Sequence, residues 1–405
     1  MSIETLPPPR LGDRSLFPEL RAVAYLAHAA VSPPSLLVAR ALQTYLSLYA
    51  RDGALAFGAT IEQRGRLRAK LATLLGTTAD QVAIAPNTST GVSDIALSFP
   101  WERGDRAVVF EGEFPANVTP WQRAAELFGL ALVTQDADLF RTDPTRAFEA
   151  LDGALRGGAR LVAVSQVQFQ TGHRMPLRAL AERCHQHGAE LFVDAIQGLG
   201  AVPIDVAAEG VDYLTAGGHK WLMGVEGAGV LYVRAERAAA LRPYAAGWLS
   251  HVDPVRFLVE GSGHLRYDRP LRARADVFEN GTFNAGGCFA LEASVDVLLG
   301  LGVAAIHAHA NGYLDALEAG LVARGFESLR SPDVNARSCI LGVRPAPEAP
   351  HPAVSLHRAL ATRGVTTSIP DGVLRFAPHW PNHRDEVARV LDAVDDAMAT
   401  PMLAH

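Results

Sequence analysis

Lysine is rare in this chain, which draws attention to its two lysine positions. Lys70 and Lys220 are the only lysines among 37 basic residues, and the rest are arginines. Arginine replaces lysine on a solvated surface, but not where chemistry needs an amine that can lose its proton. Lys70 lies in an amphipathic helical pattern that ends at Gly76, which indicates a solvated position. Lys220, in TAGGHKW, fits no such pattern and is the candidate catalytic amine.

A carboxylate is expected near this amine. Asp194 directly follows the apolar run Leu191–Val193, and Lys220 follows the run Tyr213–Thr215. If both runs are strands of a parallel sheet, their carboxyl ends border the ligand crevice. An amine and a buried carboxylate in one crevice suit pyridoxal phosphate, because the amine forms a Schiff base with the aldehyde and the carboxylate pairs with the ring nitrogen. A helix cap is the alternative for Asp194.

Two further segments suit the same cofactor. APNTSTG places Thr88, Ser89 and Thr90 after an apolar run and at the start of a helical pattern. Hydroxyls and free N–H groups at a helix start suit a phosphate, although an ordinary helix cap uses the same residues. Phe114, in EGEFPANV, follows the next apolar run and could stack on the pyridine ring, although taken alone it is typical of a core residue.

The elements that must position these residues alternate along the chain. Short β-rich runs separated by helical patterns predict an α/β fold with a mainly parallel, seven-stranded sheet covered on both faces. The predicted strands are Val82–Ala85, Ala107–Phe110, Ala131–Thr134, Leu161–Ser165, Leu191–Val193, Tyr213–Thr215 and Gly229–Val233. The predicted helices between them include Trp121–Phe128, Pro144–Leu155 and Leu177–His187.

The pattern changes after the last of these strands. An irregular, arginine-rich stretch, Asp253–Phe278, precedes a predicted helix at Phe289–Leu299. In the tail that follows, predicted helices alternate with predicted strands: Ala304–Arg324 (helix), Ser338–Val343 (strand), Ala353–Arg363 (helix), Val373–Phe376 (strand) and Asp385–Met398 (helix). We therefore expect a large domain over residues 20–288 and a smaller C-terminal α/β domain over 289–405, with 1–19 packed on it.

Composition excludes several classes of protein. The chain has 405 residues, 49% of them hydrophobic, and a net charge of −6, so it is neither disordered nor suited to nucleic acid or an anionic membrane. It has no run of eighteen apolar residues and no secretory signal pattern. Its three cysteines, Cys184, Cys288 and Cys339, are too few for a disulfide framework. We expect a cytoplasmic enzyme.

Seven segments resemble the class V aminotransferase family of fold type I pyridoxal-phosphate enzymes, which includes cysteine desulfurases, selenocysteine lyases and isopenicillin N epimerase. The resemblance covers nearly the whole chain, and the VDAIQ and GGHK pair is its most specific part. The segments are AYLAHAA (24–30), APNTSTGVS (85–93), GEFPANVTPWQ (112–122), FVDAIQGLGAVPIDV (192–206), VDYLTAGGHKWLMGVEGAGVLYV (211–233), FENGTFNAGG (278–287) and LRFAPHWPNHRDEV (374–387).

The resemblance implies a role for each candidate residue. Lys220 would be the Schiff-base lysine, Asp194 the partner of the pyridinium nitrogen, and Arg375 the clamp on the substrate α-carboxylate. The remaining cofactor contacts would be Gln197 to the phenolic oxygen, Phe114 to the ring face where many relatives have histidine, and His219, Thr88, Ser89 and the backbone of Thr90 to the phosphate. Thr282 would reach the phosphate of a neighbouring subunit, which implies a homodimer with shared active sites.

The chain departs from the family pattern at two places. Gly217 stands where many relatives carry a serine, so one phosphate hydroxyl is missing. The stretch RGVTTSIPDGVLRF before and around Arg375 has no cysteine, whereas cysteine desulfurases need a nucleophilic cysteine there. We therefore expect an aminotransferase-type reaction on a small amino acid. The alternatives are a β-eliminating C–S lyase without a cysteine nucleophile, an epimerase and, outside enzymes, a domain that senses pyridoxal phosphate in a regulator.

Other motifs fit less well. GLGAVP at 198–203 and GVEGAG at 224–229 lack the dinucleotide-binding fingerprint, and no Walker A motif is present. Cys184, His185 and His187 point to different faces of a helix, so we expect no metal site there. The substrate side chain is not identified, and its candidate neighbours are Trp248, His251, His173, Trp380 and His379. The arginine-rich stretch Arg256–Arg274 could favour a substrate with an acidic side chain. The alternative is that it is a solvated or dimer-contact segment.

Overall fold

The computed structural model describes residues 6–346 and 351–399 of the chain. Within them, the strands are β1 (Ala24–Tyr25), β2 (Val82–Ala85), β3 (Arg106–Glu111), β4 (Ala131–Asp136), β5 (Ala159–Ser165), β6 (Glu190–Asp194), β7 (Tyr213–Gly217), β8 (Gly229–Val233), β9 (Phe326–Ser328), β10 (Leu341–Pro345), β11 (Val365–Thr366) and β12 (Leu374–Phe376). Seven of these described strands form the main sheet, in the spatial order β2-β8-β7-β6-β5-β3-β4. In this sheet β4, β3, β5, β6 and β7 lie side by side and pair in parallel, whereas β8 is antiparallel to both β7 and β2. The predicted α/β fold with a mainly parallel sheet is therefore confirmed.

Helices cover both faces of the main sheet. The α-helices are α1 (Leu36–Asp52), α2 (Phe57–Leu75), α3 (Thr88–Ser98), α4 (Thr119–Phe128), α5 (Leu139–Thr142), α6 (Pro144–Arg156), α7 (Leu177–Gln186), α8 (Ala235–Ala238), α9 (Arg256–Val259), α10 (Ala285–Leu301), α11 (Val303–Val322), α12 (Ala353–Thr362) and α13 (Glu386–Ala399). Successive strand residues point to opposite faces, so Leu191 and Val193 of β6 enter one apolar core and Phe192 enters another. Burial on both faces explains why these strands read as continuous apolar runs.

The C-terminal elements form a second sheet. Strands β9, β10 and β12 are antiparallel in the order β12-β10-β9, and a separate apolar core lies among α11, α12 and α13. Strand β1 pairs in parallel with β11, and Leu16 and Phe17 pack into the core of the main sheet. The division at residue 288 stays a prediction, and parts of its smaller unit, residues 1–5, 347–350 and 400–405, lie outside the described residues.

Several elements differ from the sequence-based prediction. The short strands β1, β9 and β11 and the short helices α5, α8 and α9 were not predicted, and α9 lies in the stretch that was predicted to be irregular. The predicted strand Ser338–Val343 begins three residues later, as β10, because the Ser338 hydroxyl donates to the Gly172 carbonyl and accepts from the Ile340 N–H, which holds a turn. Helix α1 was not predicted, and of its 17 residues only Val38 is buried. Among the described residues, no single helix has the length and hydropathy to cross a membrane; the pair α10 and α11, bent by 78°, meets that criterion only together.

Helix α3 packs unusually close to β7, and a glycine permits this. A Cβ on Gly91 would lie 2.1 Å from Oγ1 of Thr215, in the buried middle of β7. We expect Gly91→Ala to lower the free energy of unfolding by about 1–3 kcal/mol, since overpacking a rigid core forces strain. Denaturant titration would measure the change. Gly153→Ala in α6 is the matched control: nothing lies within 4 Å of its Cβ position, so it should stabilise the chain slightly.

Candidate active site

A pocket of about 440 Å³ opens at the carboxyl ends of the parallel strands. Its walls come from the start of α3 and from the loops that follow β3, β5, β6 and β7, with contributions from both ends of the chain. The lining residues are Ala29, Ala30, Asn87, Thr88, Ser89, Phe114, Ala116, Phe169, Ile196, Gln197, His219, Lys220, Pro370 and Arg375. Seven of the residues predicted from the sequence therefore meet in one pocket, as the strand-end rule requires.

Asp194 is buried beside this pocket with one oxygen unused. It is the last residue of β6 and is 1% exposed. Its Oδ1 accepts the backbone N–H of Ile196 at 2.9 Å, whereas Oδ2 is buried and has no hydrogen-bond partner among the described residues. Burial raises the pKa of Asp194 to about 7, and Glu113 adds to the rise while Lys220 opposes it. An unpartnered buried carboxylate oxygen is costly unless a donor faces it, so a protonated ring nitrogen fits here.

Lys220 lies close to Phe114 in an apolar part of the pocket. Its Nζ is 5.6 Å from the centre of the Phe114 ring. Burial and the nearby Arg375 guanidinium lower the pKa of Lys220 to about 8, and Asp194 opposes this. A lysine with a pKa near neutrality can act as a nucleophile and as a base, which an ordinary lysine does poorly.

This lowered pKa predicts how the cofactor-free protein captures pyridoxal phosphate. With a pKa of about 8, roughly a tenth of the Lys220 amines are neutral at pH 7, against fewer than about one in a thousand for an ordinary lysine. We expect the second-order capture rate, followed by absorbance, to rise with pH and to level off above about pH 9. A rate that still climbs steeply at pH 10 would contradict the lowered pKa.

Residues at the start of α3 could hold a phosphate group. The Asn87 side chain caps the helix by accepting the Thr90 N–H at 2.8 Å, and Thr88 and Ser89 of the first turn line the pocket. The N-terminus of a helix favours a bound anion. The Thr88 hydroxyl accepts the Gly217 N–H at 3.0 Å, so its own hydrogen remains able to donate to an anion. Thr90 itself does not line the pocket, and its N–H is already used by Asn87.

A side chain at Gly217 would be crowded by two residues of the pocket. A Cβ there would lie 3.1 Å from two atoms of the His219 ring and 3.2 Å from Cδ1 of Ile196, both of which line the pocket. Glycine therefore lets the imidazole approach the end of β7. Burial and Lys220 lower the pKa of His219, so a neutral imidazole faces the pocket at neutral pH.

Arg375 provides the other cation of the pocket. It lies in β12, is 4% exposed, and donates from Nε to the Ser368 hydroxyl and from Nη1 to the Phe169 carbonyl. Burial lowers its pKa to about 10, so it remains charged at neutral pH. No carboxylate among the described residues forms an ion pair with it, and a buried guanidinium without one suits an anionic ligand.

Some of the predicted site residues lie elsewhere. Thr282 is exposed and does not line this pocket. The predicted neighbours of the substrate side chain do not line it either: His173, His379 and Trp380 are buried, and Trp248 and His251 lie at the surface segment before α9. Gln197 lines the pocket, but its amide is engaged by the Ala29 carbonyl and the Trp221 N–H.

Sequence reasoning missed several lining residues. Phe169 follows β5 as Gln197 follows β6, so the strand-end rule could have found it. Ala29, Ala30 and Pro370 have side chains without distinctive chemistry and come from segments far from the sheet in sequence. Only the folded chain places them at the pocket.

The residues present fit pyridoxal phosphate. A buried orphan carboxylate oxygen, a lysine with a lowered pKa, and donors at a helix start supply what its ring nitrogen, aldehyde and phosphate require. The pocket volume is also adequate for the cofactor and a small substrate.

Comparisons with known proteins agree with this geometry. The family model "Aminotransferase class-V" matches residues 24–352. An uncharacterized aminotransferase, YcbU, of Bacillus subtilis is 29% identical and matches 94% of this chain and 96% of its own. A cysteine desulfurase of Enterobacter is 32% identical, with 70% of this chain and 69% of its own covered. The solved structure of the cystine C–S lyase C-DES with its product cysteine persulfide has a TM-score of 0.85 at 19% identity, over 95% of this chain and 100% of that chain.

These findings identify the class of protein. The chain belongs to the class V aminotransferase family, whose model matches most of its length. It is an enzyme with the fold type I architecture, and its cofactor is pyridoxal phosphate.

Proposed function

We propose that the protein is an aminotransferase-type enzyme that acts on a small amino acid. The observation that carries the proposal is one pocket that holds a lysine of lowered pKa, a buried arginine without a carboxylate partner, and no thiol among its lining residues. Bound pyridoxal phosphate supplies an electron sink for the α-carbanion of an amino acid joined to it. Asp194 would hold the ring nitrogen, and Thr88, Ser89 and His219 would hold the phosphate.

Arg375 and Lys220 would act on the substrate itself. Arg375 would orient the amino acid through its α-carboxylate. Lys220 would remove the α-proton as a neutral base, and its lowered pKa favours that form. In an aminotransferase, Lys220 would also carry this proton between the amino acid and the cofactor, and water would supply the oxygen of the released 2-oxo acid.

A persulfide-forming desulfurase reaction is not supported. Cys184, Cys288 and Cys339 are each at most 1% exposed, and burial raises the pKa of each thiol to about 12. A nucleophilic cysteine needs the opposite, an exposed thiol with a lowered pKa.

A C–S lyase that uses no enzyme thiol is the second candidate. The likeness to a cysteine desulfurase at 32% identity and the fold shared with a cystine C–S lyase favour it. Here Lys220 would remove the same proton, and the β-sulfur would leave into solution as a thiol or persulfide instead of onto a cysteine.

One experiment separates these reactions. Single amino acids are added to the holoenzyme without any 2-oxo acid, and absorbance and products are followed. We expect stoichiometric conversion of the cofactor to pyridoxamine phosphate with one equivalent of 2-oxo acid. Repeated turnover that releases ammonia and a sulfur product would establish the lyase instead, and exchange of the α-hydrogen with inversion and no other product would establish an epimerase.

The carboxylate clamp gives a quantitative prediction. With Nε and Nη1 engaged by the protein, Nη2 and the second hydrogen of Nη1 are left to bind a carboxylate. Lysine cannot reproduce this fork, so Arg375→Lys should raise KM for the amino acid about tenfold or more, with a smaller change in kcat. Steady-state kinetics check this, and an unchanged KM would remove Arg375 from the substrate site.

We also propose a homodimer in which Thr282 reaches the phosphate bound by the neighbouring subunit. Its exposed position, outside the lining of its own pocket, supports this role. Sedimentation of wild-type protein and the cofactor affinity of Thr282→Val would test the two parts separately.

A further inference from the structure

Glu113 is a buried carboxylate that has no part in the function proposed above. It is 9% exposed and immediately precedes Phe114. Burial raises its pKa, and hydrogen bonds from Ser165, Gln168 and Asn117 oppose this rise. Its partners are hydrogen-bond donors: Oε1 accepts the Ser165 N–H at 2.7 Å and the Gln168 side-chain N–H at 3.1 Å, and Oε2 accepts the Ser165 hydroxyl. One side chain therefore joins two separate stretches of backbone.

The stretches that Glu113 joins contain Phe114 and contact Asp194 and Arg375, the three groups on which the site depends. Ser165 ends β5 and pairs in register with Asp194 of β6, whose carbonyl accepts the N–H of the next residue after Ser165. Gln168 adjoins Phe169, whose carbonyl accepts from Nη1 of Arg375 at 2.6 Å. The Phe169 ring also meets the Phe114 ring edge-on, with 5.5 Å between centroids.

We propose that Glu113 is a positioning residue that sets the spacing between Phe114, Asp194 and Arg375. The inference rests on the proposed function, because it takes Phe114 to contact the cofactor ring and Arg375 to bind the substrate carboxylate. A carboxylate can accept several hydrogen bonds at once, so the single Glu113 side chain can hold the Phe114 loop against both Ser165 and Gln168. Site geometry must hold within about 0.5 Å, which loops achieve only when such bonds fix them.

Two substitutions distinguish the effect of the Glu113 hydrogen bonds from the effect of its negative charge. Glu113→Ala leaves three buried donors without an acceptor. Glu113→Gln keeps an oxygen for the Ser165 and Gln168 N–H groups, and its amide can donate to the Ser165 hydroxyl, which then accepts. We expect Glu113→Ala to raise the dissociation constant of pyridoxal phosphate for the cofactor-free protein about tenfold or more. Glu113→Gln should stay within about threefold of wild type, because the ties remain.

A second ligand reports on the Arg375 side of the site. The apparent dissociation constant of the amino acid that gives the largest spectral change with wild-type holoenzyme should rise in Glu113→Ala by a similar factor and return toward wild type in Glu113→Gln. Asp212→Asn is the matched control. Asp212 is also a buried carboxylate. It accepts hydrogen bonds from the Arg237 side chain and the Leu191 N–H, and it precedes β7 at the end of the strands away from the pocket. It should lower the thermal midpoint and leave both constants unchanged.

The outcomes are decisive in either direction. Unchanged constants in Glu113→Ala, or an equal defect in Glu113→Gln, would overturn the positioning role. If Glu113→Ala does not fold, the double variant Ser165→Ala with Gln168→Ala removes two donors and keeps the carboxylate, and it should show the same tenfold loss. A wild-type protein that binds pyridoxal phosphate but gives no response to amino acids would overturn the proposed function instead, while the cofactor measurement would still test Glu113.

Discussion

Replacing Lys220 with alanine should abolish the visible absorption band of covalently bound cofactor and lower kcat by about 10³-fold or more, because the variant loses both the nucleophile and the proton carrier. The chain makes this test unusually sharp, since Lys220 and Lys70 are its only lysine amines. Borohydride reduction of wild-type holoenzyme, followed by peptide mass analysis, should place the cofactor on Lys220.

Lys70→Ala is the matched control for this variant. Its Nζ lies 2.9 Å from Oε1 of Glu292 and 2.7 Å from Oδ1 of Asp296, in a partly exposed bridge between α2 and α10. Loss of such a bridge should change the free energy of unfolding by at most about 1 kcal/mol and leave the band intact. A band that persists in Lys220→Ala but disappears in Lys70→Ala would refute the assignment of the active-site lysine.

The sequence predicted the sheet well because of how its strands are buried. Strands packed on both faces form short apolar runs, so β2 and β8 were predicted with their observed bounds and the other strands of the main sheet within two residues at either end. Helix α1 was not predicted: among its 17 residues only Val38 is buried, whereas three residues are buried in the predicted α6 and four in the predicted α7. The start of β10 depends on a serine turn that no hydrophobic pattern indicates.

The candidate site was predictable where residue type alone carries chemistry. A lone catalytic-type lysine, a strand-end aspartate and a hydroxyl-rich helix start together fit one cofactor, and the structure places them around one pocket or directly beside it. Glu113 was not predicted, because its relation to the pocket depends on hydrogen bonds to a segment about 50 residues away. The same limit explains why none of the aromatic and histidine candidates for the substrate side chain lines the pocket.

The second large effect is expected at Asp194. Because Oδ1 accepts the Ile196 N–H, an asparagine here would keep its oxygen on that bond and direct its NH₂ toward the position now held by the unpartnered Oδ2. An amide donor at that position cannot pair with a protonated ring nitrogen, so Asp194→Asn should hold the ring uncharged. The electron sink would then be weak, and we expect kcat to fall about 10²- to 10³-fold.

The binding of the cofactor should change much less than the catalytic rate in this variant. The helix start, His219 and the covalent link to Lys220 remain, and the amide can still donate to an unprotonated ring nitrogen. We therefore expect the dissociation constant of pyridoxal phosphate in Asp194→Asn to stay within about tenfold of wild type, whereas Asp194→Ala should impair both binding and kcat. Absorbance titration and stopped-flow kinetics measure the two quantities. A kcat within a few fold of wild type in Asp194→Asn would mean that this carboxylate does not control the charge of the ring.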